Sequence, residues 1–94
     1  MVPAESAALL GKVAGEYRTG SQEGDRRLII DPDGTLRLAR FGQNQAVTQP
    51  TTKTARGALV DNRPALITSD PAAITLKDAD TLVFFGVTYK RHNP

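Results

Sequence analysis

The segment Asp31-Pro32-Asp33-Gly34 is the first place to look for metal chemistry, because Asp-x-Asp-Gly also occurs in the calcium-binding loops of EF-hands. The spacing argues against calcium. The glycine lies at the fourth position of the segment and not at the sixth, and Gly42 stands where such a loop places its bidentate glutamate. The same residues are typical of a tight turn, since Asp bonds its own downstream backbone, Pro presets φ and Gly accepts a positive φ. We therefore predict a hairpin turn and no metal site.

This chain has few of the residue types that catalytic sites commonly use. The sequence has no cysteine, which excludes disulfides, thiol nucleophiles and thiolate metal sites. Its one histidine, His92, lies in a segment that we expect to be a frayed tail. With one histidine and no cysteine, the sequence has almost none of the residues that a Ser-His or Cys-His nucleophile needs. The glycine-rich fingerprints of nucleotide-binding loops are absent. The sequence predicts no catalytic residues, no cofactor and no enzyme activity.

Arginines on predicted strands are the candidate residues for binding an anionic partner. They are Arg27, Arg37, Arg40 and Arg56, and the first two flank the same predicted hairpin. A basic stripe of this kind suits nucleic acid or an anionic surface. The net charge is only +2, however, and the aromatic residues are limited to two tyrosines and three phenylalanines. Because single-stranded nucleic acid binds to exposed aromatic rings between the cations, we do not expect nucleic acid as the main partner.

A short helix is predicted over residues 3–14. Ala7, Leu10 and Ala14 recur at spacings of three and four, which is the period of one helix face. Pro3 is favourable in a first helical turn, and Gly15 is a natural place for the helix to end. The alanine-rich composition of the segment also favours a helix.

After the helix the pattern changes to short strands separated by turn signals at intervals of about 8–12 residues. The predicted strands are Gly15–Thr19, Arg26–Ile30, Thr35–Phe41, Ala55–Val60, Ala65–Thr68, Ala73–Lys77 and Thr81–Arg91. The polar stretch 42–54 is either a loop or a weak edge strand. We predict one mainly β domain over residues 1–94, an antiparallel up-and-down meander of about seven strands in a closed or half-closed barrel.

The last predicted strand, Thr81–Arg91, is the longest and the most apolar. Val83, Phe85, Val87 and Tyr89 lie on one of its faces, and the opposite face is also apolar. A strand of this type lies centrally in a sheet or packs against something on each side. We expect the N-terminal helix to cover one side.

The two ends of the predicted sheet carry a pair of motifs. Gly15-Glu16-Tyr17 follows the helix and opens the first strand, and Tyr89-Lys90-Arg91 ends the last strand. This arrangement resembles the lipocalin (calycin) barrel, in which a helical turn leads into Gly-x-Trp and a cation near the end of the last strand packs across the aromatic ring. The resemblance implies that Tyr17 replaces the tryptophan and that Arg91 or Lys90 is the cation.

The resemblance also implies a pocket for a small apolar ligand. Its candidate residues are Tyr17, Phe85, Val87, Tyr89 and Arg91. A barrel of so few residues is instead expected to fill its interior with its own side chains. An open half-barrel with the helix laid across it is the structural alternative.

These observations favour a non-enzymatic binding or accessory module that meets another protein. The alternatives are carriage of a small apolar ligand and binding of nucleic acid or an anionic surface through the strand arginines. No apolar run approaches the roughly 18 residues needed to span a bilayer, so we expect no membrane span. The start Met1-Val2-Pro3 favours an exported protein whose leader has been removed, with the cytoplasm as the alternative.

Overall fold

The computed structural model describes residues 2–20, 22, 24–42 and 51–92, in which the chain forms one helix and eight strands. In chain order these are α1 (Pro3–Val13), β1 (Gly15–Arg18), β2 (Arg26–Ile30), β3 (Thr35–Arg40), β4 (Thr51–Val60), β5 (Arg63–Thr68), β6 (Ala73–Asp78), β7 (Thr81–Phe84) and β8 (Val87–Arg91). Each strand pairs with the next, and β8 pairs antiparallel with β1 to close a barrel. The predicted mainly β, antiparallel meander is confirmed in its closed form. No helix in the described part of the chain is long and apolar enough to cross a membrane.

The N-terminal helix covers one end of the barrel. Pro3 takes the first helical position, and the helix ends at Val13, one residue before the predicted limit. Gly15 then adopts a φ of 144°, and a Cβ added there would lie 2.7 Å from the Arg91 guanidinium. Leu10 and Val13 are buried in the core, and full burial of such a side chain contributes about 1.5–3 kcal/mol to holding the helix in place.

The barrel interior is filled by the protein's own side chains. The largest fully buried ones are Tyr17, Leu28, Ile30, Leu36, Leu66, Ile74, Leu82 and Tyr89. Because a barrel of eight strands is only just wide enough for its inward-facing side chains, those from opposite walls meet and form a packed core. The interior is therefore a core of the kind expected for a barrel of this length.

Asp31-Pro32-Asp33-Gly34 forms the predicted turn between β2 and β3. Gly34 donates its backbone N–H to the Asp31 carbonyl at 3.0 Å and has a φ of 95°. Asp33 Oδ1 accepts the backbone N–H of Thr35 at 2.9 Å, and this hydrogen bond holds the pKa of the Asp33 carboxyl below its usual value. The aspartates at this position thus shape the turn.

The prediction of one long strand over Thr81–Arg91 is wrong. Residues 81–91 form two strands, β7 and β8, joined by a two-residue turn at Phe85-Gly86. The two turn residues have φ values of 51° and 73°, as a type I′ turn requires. Gly86 suits this turn, but Phe85 gives no turn signal and the apolar run continues through it, so the sequence indicated one strand. The correction adds an eighth strand and removes Phe85 from the face that Tyr89 occupies.

Two further strand limits differ from the prediction. β4 begins at Thr51, so residues 51–54, predicted as a loop or weak edge strand, pair with β3; residues 43–50 lie outside the described residues. β5 begins at Arg63, because Asp61-Asn62 alone make the turn, with φ values of 51° and 63°. Asp and Asn adopt this left-handed conformation more readily than other residues that carry a side chain. The β4–β5 hairpin is therefore longer than predicted.

Candidate binding surfaces

Arg91 joins the last strand to the first strand and to the helix. Its guanidinium carbon lies 4.9 Å from the centroid of the Tyr17 ring, and its Nη2 donates to the Tyr17 hydroxyl at 2.7 Å. Nη1 donates to the Ala14 carbonyl at 2.9 Å, and Nε donates to Asp80 Oδ1 at 3.0 Å. Burial raises the pKa of the Tyr17 hydroxyl, which itself donates to the Val13 carbonyl at 2.6 Å. The cation predicted to pack on the Tyr17 ring is therefore Arg91.

The five residues predicted to bind an apolar ligand do not share one concave surface. Tyr17 and Tyr89 are fully buried in the interior, and Val87 is partly buried against the same core. Phe85 is 69% exposed in the β7–β8 turn, just before the first residue of β8, whereas Arg91 is the last residue of that strand. The structure brings Tyr17 and Arg91 into contact and separates Phe85 from them. The Tyr89 hydroxyl is buried without a hydrogen-bond partner among the described residues.

Two of the four predicted anion-binding arginines lie on neighbouring strands. Arg27 on β2 donates from Nη2 to Glu16 Oε1 at 2.8 Å. Arg37 on β3 donates from Nη2 to Asp31 Oδ1 at 3.0 Å. Both side chains are on the outer face of the barrel, and each is already paired with one carboxylate.

The other two arginines lie apart from this pair. Arg40 is the last residue of β3 and is directly opposite Arg26. Arg56 is exposed on β4, four residues beyond Thr52, which is the residue opposite Arg37. Four residues of a strand span about 13 Å. The four predicted arginines therefore do not form one stripe.

A row of three cations that sequence analysis missed crosses the outer face of β8, β1 and β2. Arg18 is directly opposite Lys90 on one side and Arg27 on the other. We call Lys90, Arg18 and Arg27 the basic row. The row depends on the register between β1 and β8 that places Lys90 directly opposite Arg18, and the sequence analysis predicted a contact between these strands but not this register.

Glu16 and Phe41 hold the two arginines of the basic row in place. Glu16 Oε1 accepts a hydrogen bond from Arg27 Nη2, and Glu16 Oε2 accepts one from Arg18 Nε. The hydrogen bond from Arg27 contributes most to lowering the pKa of the Glu16 carboxyl, with a further contribution from Arg18, although burial opposes both. The Arg18 guanidinium also lies over the Phe41 ring, 5.0 Å from its centroid. The two guanidiniums are therefore fixed in orientation around one carboxylate.

The second candidate surface is a cleft where the barrel wall opens between β5 and β6. These strands pair over three residues, Ala65–Ile67 of β5 with Ala73–Thr75 of β6. β5 begins two residues earlier, at Arg63, and β6 continues to Asp78. On the side that faces β5, Leu76–Asp78 therefore has no strand partner among the described residues. We call the space between these diverging strands and α1 the β5–β6 cleft.

Apolar side chains line much of the β5–β6 cleft, which has a volume of about 510 Å³. The apolar lining residues are Leu9, Val13, Pro64, Leu76 and Ala79. A second concavity of about 620 Å³ adjoins it and shares Arg63, Pro64 and Leu76. Leu59, which is 53% exposed, is directly opposite Pro64, and Val60, which is 39% exposed, lines the second concavity. The exposed apolar residues of the β4–β5 hairpin thus extend the surface of the cleft.

Metal chemistry finds no support in the part of the chain that the structure describes. No group of three His, Cys, Asp or Glu side chains there could hold an ion. His92 is not frayed as the sequence suggested, because its backbone N–H donates to the Glu16 carbonyl at 2.8 Å and extends the β8–β1 pairing.

Comparisons with known proteins do not assign this chain to a family. The chain matches no protein-family model, no curated protein and no solved structure. The functional interpretation therefore depends on the two surfaces described above.

Proposed function

We propose that the protein is a non-enzymatic interaction module that binds an extended segment of a partner protein in the β5–β6 cleft. The observation that carries this proposal is the divergence of β5 from β6. It leaves the β5-facing backbone of Leu76–Asp78 without a strand partner, beside a largely apolar concavity. A segment that added to this edge would gain main-chain hydrogen bonds from β6 and side-chain burial from the cleft.

The divergence itself has a local cause. The register between β6 and β7 shifts between Leu76 and Asp78, and an irregularity of this kind increases the twist of the strand that carries it. On the opposite side of the cleft, Pro64 has no N–H to offer to a neighbouring strand, which is why proline is confined to sheet edges. Both sides of the cleft therefore carry residues that disfavour pairing of β5 with β6 at this point.

The unpaired edge favours a peptide over a small apolar molecule. Backbone N–H and C=O groups that are removed from water need hydrogen-bond partners. An extended peptide supplies donors and acceptors along its length, whereas an apolar ligand would cover the edge of Leu76–Asp78 without satisfying it. The partner chemistry that fits the cleft is therefore a strand with apolar side chains.

Charges of both signs surround the apolar part of the cleft. They belong to Lys12, Arg63, Asp78, Asp80 and Arg91. Because neither sign dominates, we expect binding to change little with ionic strength. Specificity would come from the apolar side chains that enter beside Leu59, Pro64 and Leu76.

Peptide selection tests this proposal. A phage-displayed library of random peptides is selected on the wild-type protein, and the Kd of each enriched synthetic peptide is measured by fluorescence anisotropy. Leu59→Lys and Leu76→Lys place a charge beside the apolar surface, and we expect each to weaken binding by about tenfold or more. Leu59 is exposed, so its variant should fold normally. Arg56→Gln, on the exposed face of β4, is the control that should leave the Kd unchanged.

A second arm tests the strand geometry. N-methylation of one backbone amide at a time along the best peptide should weaken binding at alternate positions, because successive amides of a strand point to opposite edges. If no peptide is enriched, or if the enriched peptides bind both lysine variants as tightly as wild type, the cleft is not a peptide site and the proposal is wrong.

A lipocalin-like carrier of a small apolar ligand is the second candidate. The Arg91–Tyr17 contact supports it, because this contact joins the two motifs that carry the resemblance. The filled interior weighs against it, since a ligand would have to displace tightly packed core side chains. Saturable binding of an apolar fluorescent probe to the native protein, unchanged in Leu59→Lys and Leu76→Lys, would favour the carrier. Absence of saturable binding would exclude it.

A further inference from the structure

We propose that the basic row of Lys90, Arg18 and Arg27 binds a phosphate group on the outer face of β8, β1 and β2. The phosphate is either free in solution, as part of a small soluble molecule, or carried by a lipid headgroup. This site shares no residue with the β5–β6 cleft, and it does not depend on the function proposed for the cleft.

Three cations that lie side by side repel one another and therefore favour the binding of an anion. Arg18 is directly opposite both Lys90 and Arg27, and directly opposite residues of antiparallel strands have Cβ atoms about 4.5–5.5 Å apart. Like charges at such positions destabilise the strand pair. Among the described residues, Glu16 is the carboxylate that bonds to the row, so in this part of the chain three positive charges face one negative charge. A bound phosphate would remove this imbalance.

Arg18 is held ready for such a ligand. Its Nε donates to Glu16, and its guanidinium lies over the Phe41 ring, which is 5% exposed. Within the described part of the chain, the structure gives its two Nη atoms and Lys90 Nζ no further hydrogen-bond partner. Two terminal nitrogens of one guanidinium match two oxygens of one phosphate. Since the side chain is already ordered, little entropy remains to be lost on binding.

A single phosphate fits the row better than a nucleic acid. Proteins that bind single-stranded nucleic acid place exposed aromatic rings between their cations. Here Phe41 lies beneath Arg18 and is buried, so no base can stack on it. The next outward arginine along the face, Arg37, is already paired with Asp31. The hydrogen-bond donors of the row that have no partner among the described residues are therefore concentrated at Arg18 and Lys90, where one compact anion can reach them.

Titration with inorganic phosphate tests the site directly. Phosphate is added to isotope-labelled protein at constant ionic strength, with chloride as the balancing ion, and shifts are followed by NMR. We expect saturable shifts at the Arg18 Nε–H and at the Lys90 backbone amide. Arg18→Gln and Lys90→Gln should each weaken the apparent affinity by about tenfold, because each removes a charge-assisted hydrogen-bond donor.

Two features of this design keep the result decisive. Lys90 is exposed, so Lys90→Gln tests the site even if Arg18→Gln disturbs the packing on Phe41. Arg56→Gln is the matched control, since Arg56 is an exposed strand arginine outside the basic row, and it should leave the affinity unchanged. Shifts that do not saturate, or an equal loss in Arg56→Gln, would indicate general charge screening and would overturn the proposal.

Separate arms distinguish the sources of the phosphate. Cosedimentation with vesicles of phosphatidic acid in phosphatidylcholine, but not with phosphatidylcholine alone, and its loss in Lys90→Gln would identify a lipid headgroup. Phosphate binding without cosedimentation would identify a small soluble ligand. A single-stranded oligonucleotide that binds more tightly than either, with the same loss in Lys90→Gln, would overturn the assignment to a single phosphate.

Discussion

At the scale of single residues, Arg91 shows how one side chain can join parts that lie far apart in the chain. It donates to the Ala14 carbonyl and the Tyr17 hydroxyl, and also to the Ala79 carbonyl and the Asp80 carboxylate. Its side chain is 20% exposed, and hydrogen bonds from a charged donor are stronger than those between neutral groups. Arg91 is therefore a structural residue, in contrast to the arginines of the outer face.

Arg91→Met should lower the free energy of unfolding by about 2–3 kcal/mol, because it leaves partners such as the Ala14 carbonyl unsatisfied while keeping most of the apolar stem. Urea unfolding followed by circular dichroism measures the change. Arg56→Met is the control, for which we expect a change below about 0.5 kcal/mol. Equal effects in the two variants would show that the contacts of Arg91 contribute little.

The Asp70 carboxylate should make stability depend on pH in the acid range. Hydrogen bonds from the side chains of Lys53 and Thr68 lower its pKa from 3.8 to about 2. A carboxyl whose pKa is lower in the folded chain stabilises the protein above the unfolded pKa, and this contribution is lost as the pH falls from about 4 to about 2. Asp70→Asn should therefore be less stable than wild type at neutral pH and should converge with it near pH 2. A constant difference between the two across this interval would contradict the shift.

At the scale of elements, the turn of the β7–β8 hairpin contains a residue whose side chain disfavours the backbone conformation that the residue adopts. Phe85 has a φ of 51°, and this left-handed conformation costs a residue with a side chain about 1–2 kcal/mol. Its ring contacts Phe84, with 4.5 Å between the centroids, yet 69% of the residue is exposed. The turn thus retains an exposed aromatic ring at the expense of local stability.

Phe85→Asn should be more stable than Phe85→Ala by about 0.5–1 kcal/mol. Both substitutions remove the contact with Phe84, but only Asn followed by Gly86 suits a type I′ turn. Thermal unfolding of the two variants side by side gives the difference. If the two midpoints coincide, the turn relaxes to another geometry once the ring is gone.

Turn chemistry decided which elements could be predicted from the sequence. Asp31-Pro32-Asp33-Gly34 identifies its turn because its side chains and the proline ring favour the required φ values, and β2 and its neighbours were predicted within a few residues. Phe85-Gly86 was missed because one glycine inside an apolar run is a weak signal. The β5–β6 cleft was also missed, since it arises from strand register and from the shift near Lys77, which no local pattern reveals.

At the scale of the whole molecule, the seam between β8 and β1 has the fewest paired residues of any part of the barrel wall that the structure describes. In that part of the chain two residue pairs close the seam, whereas six join β4 to β5. Alternation placed Val83 and Phe85 on the face of Tyr89, which the pairing of β7 with β8 contradicts, whereas the predicted contact between Tyr17 and Arg91, which are 74 positions apart, is present at the seam. The basic row crosses the same seam, with Lys90 on β8 and Arg18 on β1. A ligand on the row would therefore also hold the barrel closed.

The seam should open at a lower free energy than the rest of the wall. We expect the His92 amide, which donates to the Glu16 carbonyl at 2.8 Å, to exchange with deuterium at least about tenfold faster than the amides shared by β4 and β5. Arg91→Met should widen this difference, and Arg56→Met should not. If the basic row binds phosphate, phosphate should slow exchange at His92 in wild type and leave it unchanged in Lys90→Gln. Uniform exchange around the barrel would show that the seam is as stable as the other strand pairs, and the ligand would then have no closure to stabilise.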